Sequence, residues 1–293
     1  MAGIKDIAVT GLRKAPLSVV TPLVKRRIRR AQSDPQAVRI ARNQMEFLLA
    51  ASRPDADLDG AAHDHVEHMV WRRELRWHPR TVVRQPVTGL EHLLDAPGPH
   101  AGRVLCFLHH GRYDGIFGAI RRAGGPATTT VAADNMFGSG IAPHLRAMKR
   151  TAEIGGPVIP VSIGYRGLRD VVASGGTLGI AVDLPGRTRV RFLGRDVGAA
   201  SGAARIAMET GCPVVLALAH PVGGVHQRLE LSEPLLPADH ADSTSLVQAM
   251  LDRFEPSVLA RPDAYEWPRA KFTQYDASGN QVEYERDPGE PEH

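Results

Sequence analysis

From residue 81 onward the chain alternates short β-rich runs with stretches of helical spacing, and that alternation leaves few architectures open. Predicted strands are Val82–Val87, Arg103–Leu108, Thr128–Ala132, Val158–Val161, Leu178–Val182, Val190–Phe192 and Val214–Ala219. Predicted helices are Gly89–Ala96, Asp114–Arg122, Ala142–Ala152, Gly164–Ser174, Ala199–Thr210 and Ser245–Leu259. Apolar strands separated by helices pack as an α/β fold, a central mostly parallel sheet flanked by helices. In such sheets ligands bind beyond the carboxyl ends of the strands. Residues just past a strand end are therefore the first candidates for chemistry.

The segment before residue 81 reads differently. Residues 1–42 hold ten basic and two acidic residues, although the whole chain carries only +4. The run Lys25-Arg26-Arg27-Ile28-Arg29-Arg30 ends a stretch that also carries Val19, Val20, Leu23 and Val24. Such a helix can lie on an anionic membrane surface, with its apolar face in the headgroups and its arginines on the lipid charge. The alternatives, in order, are an ordinary helix with a solvated charge run and a nucleic-acid patch. Ser33-Asp34-Pro35 predicts a capped helix start running to about Ala50. A second helix is expected over 61–77. There His65 and His68 stand three apart, a spacing that suits either a metal or a polar helix face. From Gln274 onward six acidic residues accompany one Arg with no apolar periodicity. The expected organisation is a basic, helical segment over 1–80, an α/β domain over 81–273 and an acidic mobile tail over 274–293.

Composition removes several classes. With 43% hydrophobic and 23% charged residues the chain is globular. No stretch approaches the roughly 18–20 apolar residues of a membrane-spanning helix, and Pro16, Pro22 and basic residues interrupt any secretory signal pattern. Cys106 and Cys212 lie in apolar runs with neither disulfide nor zinc spacing, which fits a reducing cytosol.

The densest chemistry is in Leu108-His109-His110-Gly111-Arg112-Tyr113-Asp114. An apolar strand ends in two histidines, turns at Gly111 and enters a helix through Asp114. Five positions across a strand–turn–helix junction can fold the Asp114 carboxylate back onto His109. A carboxylate on one ring nitrogen fixes the tautomer and leaves the other nitrogen free as a base. Alternatively, Asp114 caps a helix and the histidines are structural. On an alternating strand His109 and His110 point opposite ways, so one faces the core. A second apolar strand delivers Asp183 at its carboxyl end, followed by Pro185-Gly186-Arg187. The small residues Gly198-Ala199-Ala200-Ser201-Gly202 then suit a helix packed tightly on a sheet.

Taken in order, these segments resemble the bacterial lipid A biosynthesis acyltransferase family, which includes phosphatidylinositol mannoside acyltransferases and belongs to the lysophospholipid acyltransferase-like superfamily. Val87-Thr88-Gly89-Leu90-Glu91-His92-Leu93 is similar to that family's Val-x-Gly-x-Glu-His-Leu. His109 to Asp114 is similar to its His-x-Gly-Asn-Trp-Asp/Glu block, the HX4D motif. Lys149-Arg150 before Gly155, Asp183 at a strand end, Phe192-Leu193-Gly194 and Pro262-Asp263-Ala264-Tyr265-Glu266-Trp267 complete the series. The resemblance covers roughly residues 60–272. The chain departs from it where Arg112-Tyr113 replaces Asn-Trp, where Val214-Val215 is not followed by Pro, and in the reduced apolar content of its N-terminal segment.

The resemblance implies a glycerol-phosphate-acyltransferase-like fold and direct acyl transfer from a thioester, acyl-CoA or acyl-carrier protein, to a hydroxyl of a glycolipid or phospholipid. It implies His109 as general base oriented by Asp114, with no covalent acyl-enzyme, no metal and no cofactor beyond the thioester co-substrate. Backbone N–H groups around Gly111 and Arg112 are expected to steady the oxyanion. Tyr113 joins the substrate-binding group. Arg150 and Arg187 are expected on phosphates of donor or acceptor, and Asp183 on one of these arginines or on the acceptor. The expected location is cytoplasmic, peripheral on the inner face of the membrane through residues 1–30. Two other readings remain open. One is a transferase acting on a soluble amine or hydroxyl, with an aminoacyl-tRNA as a conceivable donor; the other is a binding protein that keeps the shape without catalysis.

Overall fold

A computed structural model describes residues 15–96, 102–276 and 278–287. Three helices come first, α1 (Leu17–Gln32), α2 (Pro35–Leu49) and α3 (Leu58–Leu75). The expected cap is present at α2, where the Asp34 carboxylate accepts from the Gln36 N–H and Pro35 takes the first helical position. Asp57 caps α3 in the same way through the Gly60 N–H. Val20, Val24 and Ile28 recur every fourth residue of α1, which buries that face against α3. The opposite face turns Arg26, Arg29 and Arg30 outward, while Arg27 crosses to Glu74 at 2.7 Å. Residues 1–14 of the expected basic segment lie outside the described residues.

After these helices come a single turn α4 (Pro79–Val82), β1 (Val87–Thr88), α5 (Leu90–Leu94) and β2 (Arg103–Phe107). A 3-10 turn at Tyr113–Gly115 leads into α6 (Ile116–Arg122), β3 (Thr128–Ala132), α7 (Pro143–Ala152), β4 (Val158–Pro160), α8 (Gly164–Ala173) and β5 (Thr177–Ala181). The hairpin β6 (Pro185–Phe192) and β7 (Arg195–Ala199) precedes α9 (Gly202–Thr210), β8 (Val214–Gly223) and β9 (His226–Leu231). The last elements are α10 (Ser243–Ala260), α11 (Pro268–Lys271), β10 (Thr273–Tyr275) and β11 (Gln281–Val282).

The main sheet has the order β1-β9-β8-β2-β5-β3-β4 and is parallel throughout except between β8 and β9. Helices cover both of its faces, so the fold is the expected α/β type. Alternation along β2 divides the core. Val104, Cys106 and Leu108 face the side of α9 and α10, with Ile206, Met250 and Phe254. Leu105 and Phe107 face α6, with Ile116, Phe117 and Ile120. Both cysteines are free and buried.

Several sequence expectations need correcting. Val82–Val87 is not a strand: Pro79 opens a helical turn that buries Val82 and Val83, and only Val87 and Thr88 pair, alongside β9. Ala199 belongs to β7 rather than to the following helix. A second, antiparallel sheet has the order β11-β10-β7-β6, and of its strands only Val190–Phe192 within β6 is expected from the sequence. The alternation in β9 was legible, with Gln227, Leu229 and Leu231 inward, but was not expected as a strand. The segment expected as an acidic tail from 274 starts inside β10 and continues into β11; Ala277 and residues 288–293 lie outside the described residues. The division drawn at residue 80 separates segments that share a core, because Met45, Phe47, Leu48 and Leu49 of α2 pack in the same cluster as the sheet.

Phe254 is 2% exposed on α10 beneath the sheet. Phe254→Ala should lower the unfolding free energy by about 3–5 kcal/mol, read by chemical denaturation, because the cavity cannot collapse fully. Val222→Ser, at an exposed hairpin position, should change it by about 0.5 kcal/mol or less.

Candidate active site

Strand β2 ends at Phe107, and the chain bends at His109. There it meets the segment after α10. The Glu266 N–H donates to the His109 carbonyl at 2.8 Å, and the Gly111 N–H donates to the Ala264 carbonyl at 2.9 Å. His110 and Tyr265 face each other across this short antiparallel bridge. The two histidines part company here, His110 entering the interior and His109 the wall of a cavity. His110 is buried, and its Nε2 donates to the Arg261 carbonyl at 2.8 Å. Burial pushes its pKa down to about 4, against which that hydrogen bond works only in part. The side chain of His109 remains 16% exposed and lines a cavity.

His109 is fixed by Asp183. Its Nδ1 lies 2.9 Å from Asp183 Oδ1, and its backbone N–H donates to Oδ2 at 2.8 Å. The Tyr265 hydroxyl donates to the same Oδ2 at 2.8 Å. Asp183 and Tyr265 have no exposed surface. Burial, then the neighbouring carboxylate, raises the Tyr265 pKa well above its usual value, so the phenol stays a donor. The register explains the meeting. In the parallel pair of β2 and β5, Phe107 lies opposite Ala181, and His109 and Asp183 each stand two residues further on. With Nδ1 as the donor to a carboxylate, the lone pair falls on Nε2, which makes no hydrogen bond among the described residues.

Asp114 therefore does not hold His109. It lines the same cavity, but its carboxylate lies 3.3 Å from Nη2 of Arg72 on α3. Arg72 is itself buried, with Nε 3.0 Å from Glu266 and the guanidinium 4.0 Å above the Tyr113 ring. Burial opposes the charge of Arg72, but Asp114 and Glu266 more than offset this and raise its pKa. Burial likewise opposes the charge of Glu266, yet Arg72 and Lys271 hold its pKa well below the usual carboxylate range. Tyr113 donates its hydroxyl to Glu266 and sets its ring edge-on to His109, with centroids 4.6 Å apart. Trp267, next in the chain, has φ of 48°, a costly left-handed conformation for an aromatic residue.

Other expected site residues fare differently. Gly111 has φ of 64° and no room for a Cβ, which would lie 2.2 Å from Gln227 Oε1. The Arg112 N–H donates to that Oε1 at 2.7 Å, Gln227 donates to Gln85, and Gln85 donates to the Val82 and Arg112 carbonyls. The N–H groups of Gly111 and Arg112 are thus both engaged, which removes them as oxyanion donors. The Arg112 guanidinium is tied to the Gly224 and Val225 carbonyls of the β8–β9 turn, with its pKa pushed down to about 10 by burial and Arg261. Arg150 and Arg187 are exposed and do not line the cavity. Asp183 holds neither arginine. His65 is no polar-face residue: it is buried, donates from Nδ1 to the Asp263 carbonyl at 2.9 Å and meets Trp267 edge-on. Among the described residues no three His, Cys, Asp or Glu side chains gather to hold a metal.

The cavity encloses about 390 Å³ between α6, α7 and the carboxyl ends of β3 and β5. Its wall is mainly apolar, with Phe107, Phe117, Val131, Met136, Met148 and Ile180 among its residues; His109, Tyr113, Asp114 and Thr130 supply the polar groups. Val161 and Leu184 also line it and reach solvent. Sequence reasoning missed Arg72 and gave no role to Tyr265 or Glu266. The signal for Asp183 as partner was present: it and His109 end adjacent parallel strands.

An unfolded imidazole takes up a proton near pH 6.5, whereas His110 in the folded chain does so only near pH 4. The unfolded state therefore binds more protons between those values, and folding stability should fall as pH drops from about 6.5 to about 4. The loss for His110 alone should reach roughly 3 kcal/mol below that window and vanish above it. His65 and His68, whose pKa values are also lowered by burial, act in the same direction. Urea titrations across this range should show the decline, and His110→Gln should make it shallower.

No protein-family model and no curated protein matches the chain, so the resemblance read from its six segments stands on those residues. Among solved structures, the chain is similar to the 1-acyl-sn-glycerophosphate (LPA) acyltransferase PlsC from Thermotoga maritima. Identity is 12%, coverage is 77% of this chain and 96% of that one, and the TM-score is 0.42, a likeness too loose to transfer residue roles.

Proposed function

We propose that this chain is an acyltransferase that moves an acyl group from a thioester donor to a hydroxyl of a lipid acceptor. One observation carries the reading: His109 is locked through Nδ1 to the buried Asp183 while its Nε2 is open at the wall of an apolar cavity. Nε2 takes the proton from the acceptor hydroxyl, and the freed oxygen attacks the thioester carbonyl carbon. The new C–O bond forms, the C–S bond breaks, and the departing thiolate takes the proton back from Nε2. Asp183 keeps the tautomer and stabilises the imidazolium between these steps, the role the motif spacing had suggested for Asp114. Tyr265 steadies Asp183. The donor is acyl-CoA or an acyl-carrier protein, and the acceptor a glycolipid or phospholipid, as the lipid A and phosphatidylinositol mannoside branch suggests. An apolar wall suits a fatty acyl chain better than an aminoacyl group, which disfavours the tRNA-dependent alternative.

The same reading sets α1 on an anionic membrane surface. No helix among the described residues is long and apolar enough to cross a membrane. The outer face of α1 instead offers Arg26, Arg29 and Arg30 with the exposed Val19 and Leu23, the mixture that binds at an interface.

His109→Gln should cut thiol release from decanoyl-CoA by about 10²–10⁴-fold, and Asp183→Asn by a comparable factor. Tyr265→Phe should cost about tenfold or less. Full activity of the His109 variant, or no thiol release by the wild type with any donor, would refute the proposal. The triple variant Arg26→Glu, Arg29→Glu, Arg30→Glu should no longer sediment with phosphatidylglycerol vesicles at low salt. Unchanged sedimentation would move the membrane contact elsewhere.

A further inference from the structure

Two carboxylates stand at the His109 end of the cavity in opposite states. Asp183 is sealed and receives three donors at 2.8–2.9 Å. Asp114 is 13% exposed in its side chain, lines the cavity and receives a single guanidinium nitrogen. That nitrogen, Arg72 Nη2, is shared between Oδ1 at 3.4 Å and Oδ2 at 3.3 Å, both at the long end for a hydrogen bond. An ionised carboxylate has about four acceptor positions, so most of those on Asp114 are uncommitted. A carboxylate facing an apolar wall is costly unless donors meet it.

Asp114 is also held from turning toward His109. Arg72 cannot follow it, because Glu266 grips Arg72 at 3.0 Å and the Tyr113 ring packs under its guanidinium. Glu266 in turn accepts from Tyr113 and lies 3.6 Å from Arg76. The Nδ1 of His109 already has its carboxylate. What remains for Asp114 is the molecule that enters the cavity.

Resting on the acyl-transfer reading, we propose that Asp114, pinned by Arg72, forms an acceptor subsite that takes a second hydrogen-bond donor of the acceptor, beside the hydroxyl activated by His109. The acceptor class is then a vicinal diol or amino alcohol rather than a simple alcohol. Arg72 is the positioning residue for this subsite. One carboxylate serves the base and the other the substrate, a division set by their surroundings.

The test uses the full chain with decanoyl-CoA as donor and three acceptors of equal chain length: octanol, its vicinal diol and its vicinal amino alcohol. Thiol release and product formation are followed together. The wild type should favour the diol or the amino alcohol over octanol in kcat/KM by about ten- to a hundredfold, the worth of a hydrogen bond to a charged group. Whichever of the two is favoured identifies the donor as hydroxyl or ammonium. Asp114→Asn should bring that ratio toward one, mainly through a higher KM for the favoured acceptor. Arg72→Met should do the same, and Arg72→Lys should restore part of it. A wild type without preference overturns the inference. So does an Asp114→Asn variant that keeps the preference while losing kcat equally on all acceptors, since that pattern belongs to a residue acting on His109. Absence of thiol release from the wild type overturns the acyl-transfer reading and the subsite with it.

Discussion

The buried carboxylate of Asp183 ties three distant pieces of chain together. It lies just past the end of β5, receives the imidazole and the backbone N–H past the end of β2, and receives the phenol of Tyr265 from the segment after α10. A carboxyl group with no exposed surface is tolerated only when hydrogen-bond donors meet it. Three short donors meet that requirement, and they fix where each strand end must lie. The orientation of His109 follows from this knot, and the bridge from His109 to Gly111 along the 264–266 segment runs beside it.

A second polar layer sits between the sheet and the N-terminal helices. Where the family resemblance expects Asn-Trp, this chain has Arg112-Tyr113, and both replacements are accommodated by partners elsewhere. A buried phenol needs an acceptor, which Glu266 provides. The charge of Glu266 needs a cation, which Arg72 provides. Arg112 turns away from the cavity to tie the β8–β9 turn. The departures from the motif thus form a connected set, and α3 contributes directly to the site through Arg72.

The two polar layers explain why polar groups concentrate at one end of an otherwise apolar cavity. Phe107 and Phe117 pack edge to face at 5.4 Å, and Gly179 leaves space that a Cβ would take from the Phe117 ring. The wall is thus built from close packing, and His109, Tyr113 and Asp114 reach it from the segment after β2.

Local pattern was enough for much of this molecule. Apolar runs marked the central strands, because a strand buried on both faces has to be apolar along its length. Asp34 and Pro35 marked the start of α2, because capping is satisfied within a few residues. A histidine at a strand end marked the position that reaches the cavity wall. Pairing between distant segments was not legible in this way. Spacing favoured Asp114 as the partner of His109, since only five positions separate them, but the register of two parallel strands brought Asp183 there and a buried arginine from α3 held Asp114 aside. The sequence by itself determined that an α/β sheet would form and that His109 and Asp183 would stand at its strand ends. Only the tertiary structure decided which carboxylate meets the imidazole, because a hydrogen bond depends on distances across strands that the order of residues along the chain does not contain.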